Sequence, residues 1–278
     1  MNNTKPKYNE IVFTTEQLED IKQSYLRGEG SVKIGKRYGI THKPILKALH
    51  KMGVGVKQSL SMRQYALDET YFDNIDIPNK AYILGFLFAD GHNEPKKGTI
   101  SMSLHEQDRD ILERIRVEVK SDKPLEFIDY SNKHDFGYTY ANQYRLSLFS
   151  VHMCKTMNEL GMVHNKSYCL KYPQIPNELN SHFIRGYFDG NGTVSVNGGF
   201  SITTTKYFAE SAKEIIDSTL GTEFGLIRES ACRNGVTHDL YYLRKTDSAK
   251  IYKWLYSDAE MYLERKYNKY CERVLKSA

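Results

Sequence analysis

The chain lacks any apolar run near the roughly 18 residues of a membrane span. Its first ten residues, MNNTKPKYNE, hold no apolar stretch of the kind a secretory signal requires. Both absences predict a cytoplasmic protein with no membrane partner. Cysteine is scarce: Cys154, Cys169, Cys232 and Cys271 stand far apart in 278 residues and form no CxxC pair. That spacing argues against a zinc site and for reduced thiols. Acidic residues are missing altogether between Gly30 and Leu67, where eight lysines and arginines fall. A block of one sign suits a polyanionic partner. Residues 1–66 carry 12 Lys+Arg against 5 Asp+Glu, a balance of +7, and the other 212 carry 27 against 29, or −2. What is present is ample apolar (40%) and aromatic (12%) content, which excludes a disordered chain and leaves about two ordinary domains.

The basic part, residues 1–56, reads as three short helices. Leu18, Ile21, Tyr25 and Leu26 recur at helical spacing after a Thr15 cap, and Gly28 and Gly30 end the run. Ser31 caps a second helix carrying Val32, Ile34 and Tyr38. After the tight YGIT turn, Thr41 caps a third with Ile45, Leu46 and Leu49 on one face, and Gly53 stops it. This order resembles a helix-turn-helix, whose last helix enters the major groove. The residues expected to face DNA are Lys36, Arg37, His42, Lys43, Lys47, His50 and Lys51. Residues 57–79 read as a linker.

Beyond residue 79 the chain repeats itself with a period of about 100. FADGH (88–92) is answered by FDGNG (188–192), which sets Asp90 against Asn191. GTISMS (98–103) is answered by GGFSIT (198–203), and HNKSY (164–168) by ERKYN (264–268), which sets Lys166 against Lys266. The repeats span 80–178 and 179–278. Each reads as an apolar helix, a strand pair, a helix, a second strand pair, then helices carrying a lysine. Ile100, Met102 and Leu104 alternate with Ser101, Ser103 and His105. Tyr144, Leu146 and Leu148 alternate with Arg145 and Ser147, and Phe200 and Ile202 with Ser201 and Thr203. Each sheet is therefore expected to be antiparallel, helices on one face and a polar face open. Ser101, Ser103, Arg145, Ser201, Thr203 and Arg244 are the groove-reading candidates, since β-ribbons also fit the major groove.

Gly85 and Gly186 stand mid-helix at matched positions, where glycine costs roughly 1 kcal/mol relative to alanine. A close approach of two helix backbones explains that cost. Asp90 and Asn191 then end their helices, at the negative pole of the dipole. A divalent cation there relieves the repulsion.

AYILGFLFADG and HFIRGYFDGNG, with NKS and YLERKY downstream, resemble the motifs of a single-chain LAGLIDADG homing endonuclease over residues 68–273. The resemblance implies an α+β fold, with two pseudo-symmetric αββαββα repeats following the helix-turn-helix. It implies a monomer that cuts both strands of a long double-stranded DNA target across the minor groove with Mg²⁺, for which Mn²⁺ can substitute. Asp90 and Asn191 are then the metal ligands, and Lys166 and Lys266, with Lys171 a rival to Lys166, the basic residues near the phosphates. Asp189 commonly accompanies the catalytic acid. The chain departs from the family at Asn191, where an acid is usual. An element-encoded, nucleoid-associated endonuclease is the expected identity. The rivals are a strand-biased nickase, a DNA-binding regulator and an RNA maturase.

Overall fold

The computed structural model describes residues 11–54, 65–131, 134–135, 138–232 and 235–275. Residues 57–64 of the expected linker lie outside the described residues. Contacts divide the chain into two units, 1–64 and 65–278. No helix among the described residues is long and apolar enough to cross a membrane.

The first unit has three helices, α1 (Thr15–Leu26), α2 (Ser31–Arg37) and α3 (His42–Lys51). Thr14, not Thr15, caps α1. Its hydroxyl accepts from the Gln17 N–H at 3.2 Å, and the Gln17 side chain accepts from the Thr14 N–H at 2.9 Å. That reciprocal pair satisfies two otherwise orphaned donors. Gly30 rather than Ser31 occupies the cap position of α2, and Thr41 caps α3 by position without a side-chain bond. Ile21, Ile34, Ile45 and Leu49 form a small core. Leu26 and Val32, expected inside, are 61% and 58% exposed, and Ser24 is buried instead. With α2 only seven residues long, one turn of apolar face is all that three short helices need to cover.

The second unit is a mixture of helices and two antiparallel four-stranded sheets. Its first half runs α4 (Pro78–Asp90), β1 (Gly91–Glu94), β2 (Thr99–His105), α5 (Arg109–Glu118), β3 (Glu126–Ile128), β4 (His134–Asp135), β5 (Tyr138–Thr139), β6 (Gln143–Phe149) and α6 (Val151–Glu159). Its second half runs α7 (Asn180–Asn191), β7 (Gly192–Val194), β8 (Phe200–Thr204), α8 (Lys206–Leu220), β9 (Leu226–Cys232), β10 (Gly235–Tyr242), α9 (Lys245–Tyr256) and α10 (Glu264–Arg273). The sheet orders, β1-β2-β6-β3 and β7-β8-β10-β9, are equivalent. The registers also match: Gly91 pairs with Met102, and Gly192 with Ile202. Among the described residues the small β4–β5 ribbon interrupts the first half only, and it was not expected from the sequence.

The alternation read from the sequence sorts the faces as expected. Ile100, Met102, Leu146, Leu148, Phe200, Ile202 and Leu240 are buried under the helices. α4 is apolar all round, with Ala81 through Ala89 buried, as a helix at the centre of a domain must be. Each large side chain withdrawn from water there contributes about 1.5–3 kcal/mol.

Candidate active site

α4 and α7 touch backbone to backbone. A Cβ on Gly85 would stand 2.0 Å from the Phe183 carbonyl oxygen, and one on Gly186 would stand 1.9 Å from that of Tyr82. The two glycines are thus each other's counterpart in one contact. The contact brings the C-terminal ends of both helices together. Asp90 is the last residue of α4 and Asn191 the last of α7. The ends are close: a Cβ on Gly190 would lie 2.3 Å from Ala89 Cβ and 3.1 Å from Asp90 Oδ2.

Each helix end is met by a lysine from its own half. Lys166 Nζ donates to the carbonyls of Ala89 (3.0 Å) and Gly91 (2.7 Å). Lys266 Nζ donates to Phe188 O (2.8 Å) and to Gly192 O. Carbonyls at a helix C-terminus carry the negative pole, so an ammonium there is favourable, even where, as at Phe188 O, the Gly192 N–H also bonds the oxygen. The two lysines do not share a local structure. Lys166 opens a single 3-10 turn after Asn165, whose φ of 57° is left-handed, whereas Lys266 lies in α10. The expectation of a helix under both is corrected for the first. Burial pushes both ammonium groups down to about 8, against the opposing pull of Asp90 on each and of Asp189 on Lys266. An ammonium has three donors, so each lysine keeps one beyond its two carbonyls. Lys171, the rival to Lys166, instead lies 5.9 Å from the Tyr207 ring centroid.

Asp90 is exposed to solvent, yet burial by surrounding protein raises its carboxyl above the usual range. Lys266, Lys166 and Arg265 oppose the rise, and Asp108 adds to it. The carboxyl is thus crowded by protein on one side and open to solvent on the other. No hydrogen bond or ion pair engages it among the described residues, so its oxygens are available. Asn191 donates its amide nitrogen to Tyr187 Oη at 3.4 Å, which leaves its carbonyl oxygen for another partner. A carboxylate and a carboxamide oxygen, at the ends of two helices in contact, are both oxygen donors, the kind a hard divalent cation takes. These residues fit such an ion.

Deeper along α7 lies a polar network that the sequence did not disclose. Asp189 is fully buried and accepts from Leu263 N (2.7 Å), Tyr82 Oη (2.8 Å) and Tyr256 Oη (3.4 Å). Arg185, also fully buried, donates to Met261 O (2.9 Å) and Leu255 O (2.7 Å) and lies 5.3 Å from the Tyr82 ring centroid. Arg265, next in sequence to Lys266, crosses between the halves to Asp108 at 3.0 Å. Burial pushes the Asp189 carboxyl up to about 6, a rise limited by the Leu263 N–H, the Tyr82 hydroxyl, Lys266 and Arg185. The folded state therefore holds this proton more tightly than the unfolded chain, whose carboxyl titrates near 3.8. That contribution to stability is present at low pH and is lost as pH rises through about 4 to 6. Asp189→Asn is expected to gain on the native chain by up to ~3 kcal/mol between those pH values. Urea melts of both proteins at each pH check this, and parallel pH profiles would refute it.

The sheet candidates lie on the faces turned from the helices, engaged with one another. Ser101 faces Ser147 across the β2–β6 pair. Arg145 donates to Ser103 Oγ at 3.0 Å and approaches Glu126 at 4.0 Å. Thr203 donates to Asp239 at 2.5 Å, as does Ser230 at 2.7 Å, and Ser201 approaches Thr193 O at 3.5 Å. Arg244 is not on a strand. It caps α9, its guanidinium 3.0 Å from the Phe224 ring centroid. In the first unit, His42, Lys43, Lys47, His50 and Lys51 are all exposed along α3, and Lys36 is exposed on α2. Arg37 is exposed but tied back, 2.7 Å from Asp20 on α1 and 3.0 Å from Glu29 between α1 and α2.

No protein-family model and no curated protein matches the chain. Among solved structures, it is similar to full-length DUF199/WhiA from Thermatoga maritima at a TM-score of 0.44. Identity is 16%, over 74% of this chain and 65% of that one, so just under two thirds of the neighbour is spanned. It is similar to I-DmoI in complex with DNA and Mn at a TM-score of 0.43 and 16% identity, covering 64% and 97% of the two chains. It is also similar to the homing endonuclease I-WcaI bound to its DNA recognition sequence at a TM-score of 0.46 and 14% identity, covering 78% and 96%. Likeness at this level assigns no activity.

Proposed function

We propose that the second unit is a divalent-metal-dependent endonuclease of double-stranded DNA, built for two strands but strand-biased. The observation that carries this is the pair of equivalent helix ends, each capped by a lysine, Lys166 half-buried and Lys266 buried, with an unengaged carboxylate on one and a carboxamide on the other. Two equivalent sites related by an internal repeat suit a substrate with its own two-fold relation, such as the two strands of a duplex. Asp90 and Asn191 would hold the ion through oxygen. When bound, a divalent cation supplies an activated water and charge for the leaving oxygen. The chain's own part is then to position and to neutralise. The third N–H of Lys166 and of Lys266 remains for a phosphate oxygen or its bound water, and the backbone carbonyls fix where that donor stands. The basic α3 of the first unit, read as the second helix of a helix-turn-helix, adds salt-dependent affinity for the phosphate backbone.

Asn191 decides what the second site can do. Its oxygen ligates without the charge that offsets the dehydration of Mg²⁺. One strand is therefore expected to be cut on the order of 10²-fold more slowly than the other. The test is the full chain with Mg²⁺ and supercoiled DNA carrying its own locus. Nicked circles should accumulate before linear product, with the first nick always on the same strand, and Asn191→Asp should speed the second. Equal cutting of both strands, unchanged in Asn191→Asp, would show that the missing charge is immaterial. Sequence-specific binding without any nick would favour the second reading, a binder that has kept the fold, for which the lone carboxylate speaks.

A further inference from the structure

We infer that His92, Glu94 and His164 form a binding site for one Zn²⁺ ion, separate from the Asp90–Asn191 pair. His92 and Glu94 are two residues apart on β1, so both side chains leave the same face of the strand. His164 comes from the segment between α6 and the Lys166 turn. Glu94 Oε2 lies 3.9 Å from His92 Nε2 and 3.7 Å from His164 Nδ1. The two rings meet edge to face with centroids 5.3 Å apart. One ligand atom from each of the three residues falls within 4.8 Å of the others. Zinc bound at 2.0–2.1 Å in a tetrahedron holds its ligand atoms about 3.3 Å apart. The His92 and His164 side chains are 51% and 45% exposed, so side-chain rotation can close the difference.

The frame beneath them is already fixed. Asn93, between the two β1 ligands, is buried and donates its amide to Cys154 O (3.0 Å) and Met162 O (2.9 Å). The chain two residues before His164 is thereby tied to the strand that carries the other two ligands. His164 Nδ1 lies 3.3 Å from Asn93 O, a contact that this nitrogen gives up when it takes the ion. The backbone is thus set, and only the exposed side chains have to turn.

The donor chemistry narrows the ion to a borderline metal, Zn²⁺ or Fe²⁺, and of these Zn²⁺ needs no redox partner. Two imidazoles and one carboxylate suit zinc and leave a fourth position for water. Mg²⁺ prefers oxygen donors and dehydrates reluctantly, so it should not compete here. The consequence is local: His164 stands two residues before Lys166, across the left-handed Asn165. An ion held by β1 and His164 would fasten the turn that presents Lys166 to the end of α4. The site goes beyond the nuclease reading and does not depend on it.

The test is calorimetric titration of Zn²⁺ into the full metal-free chain in excess Mg²⁺, with thermal melts alongside. One equivalent should bind, and the melting midpoint should rise with zinc. His92→Ala and His164→Ala should each weaken binding by on the order of 10²-fold or more, since lost outer-shell partners alone cost 10–100-fold. Glu94→Gln, which keeps the shape and drops the charge, should weaken it as well. Both histidines are exposed, so the metal-free variants should melt with the native chain. A chain that takes up no zinc, or a double His variant that binds one equivalent with unchanged affinity and the same rise in melting point, would overturn the site.

Discussion

Gly186→Ala is expected to leave the second unit unable to reach its native pairing of α4 with α7. The added methyl would stand 1.9 Å from the Tyr82 carbonyl oxygen and 2.9 Å from Phe86 N. Both neighbours are backbone, so no flexible side chain can yield, and the helices must separate. Separation unpacks a helix whose residues Ala81 to Ala89 are all buried. Overpacking of an ordinary core costs about 1–3 kcal/mol, because side chains can shift. Here the loss should exceed ~5 kcal/mol, comparable to the whole stability of many domains. Gly85→Ala meets the Phe183 carbonyl at 2.0 Å and should do the same. The double variant should cost less than the sum, because both methyls force one and the same separation. Urea melts and soluble yield are the measurements. A Gly186→Ala protein with a near-native midpoint would mean that the helices are not in backbone contact.

Asp90→Asn is expected to lower Mg²⁺-dependent cleavage of both strands by 10²–10³-fold or more while leaving DNA affinity nearly intact. It makes both helix ends carboxamides and removes the one carboxylate of the pair. Affinity should hold, or rise slightly in metal-free buffer, because a negative group facing phosphate has gone. An independent readout comes from the lysines. Asp90 holds the ammonium pKa of Lys166 and Lys266 up against burial, so its removal should lower both further below about 8. Single-turnover cleavage, gel shift and lysine titration by NMR separate the three effects. In the Asp90→Asn, Asn191→Asp double variant the favoured strand should switch. Near-native cleavage by Asp90→Asn would sink the assignment of that residue.

The helix contact and the helix ends were legible because the chain states them twice. A mid-helix glycine in one copy is an accident; the same glycine in two copies, a hundred residues apart, needs a common cause. The strand faces were legible for the period-two reason alone. Caps came out one residue off, since TTEQ and GEGS each offer two adjacent capping positions, and only the reciprocal Gln17 bond selects Thr14. What the lysines do was not legible. A sequence shows a basic residue, and only tertiary structure shows its nitrogen on helix-terminal carbonyls. Nothing in HFIRGY marks Arg185 as buried, yet it is, because the carbonyls of Leu255 at the end of α9 and of Met261 beyond it, about seventy residues on, receive it. His92 and His164 lie equally far apart, and no spacing rule joins them.

Tyr82 has a consequence for assembly. With Gly85 matched to Gly186, Leu84 corresponds to Arg185, Phe88 to Asp189, and Tyr82 to Phe183. The halves therefore meet as unlike partners: the Tyr82 hydroxyl on α4 supplies a proton to Asp189 on α7, and its ring lies near Arg185. Two copies of α7 face to face would set Phe183 where Tyr82 belongs and strip Asp189 of that donor. Two copies of α4 would leave the Tyr82 hydroxyl against Phe88. An unsatisfied buried polar group costs about 1–3 kcal/mol, and a charged one more. Each half is thus fitted to the other and poorly fitted to itself. Exchange between two chains that paired like with like would be rejected at the joint, while the covalent pair within one chain gives Asp189 its donor and Tyr82 its acceptor.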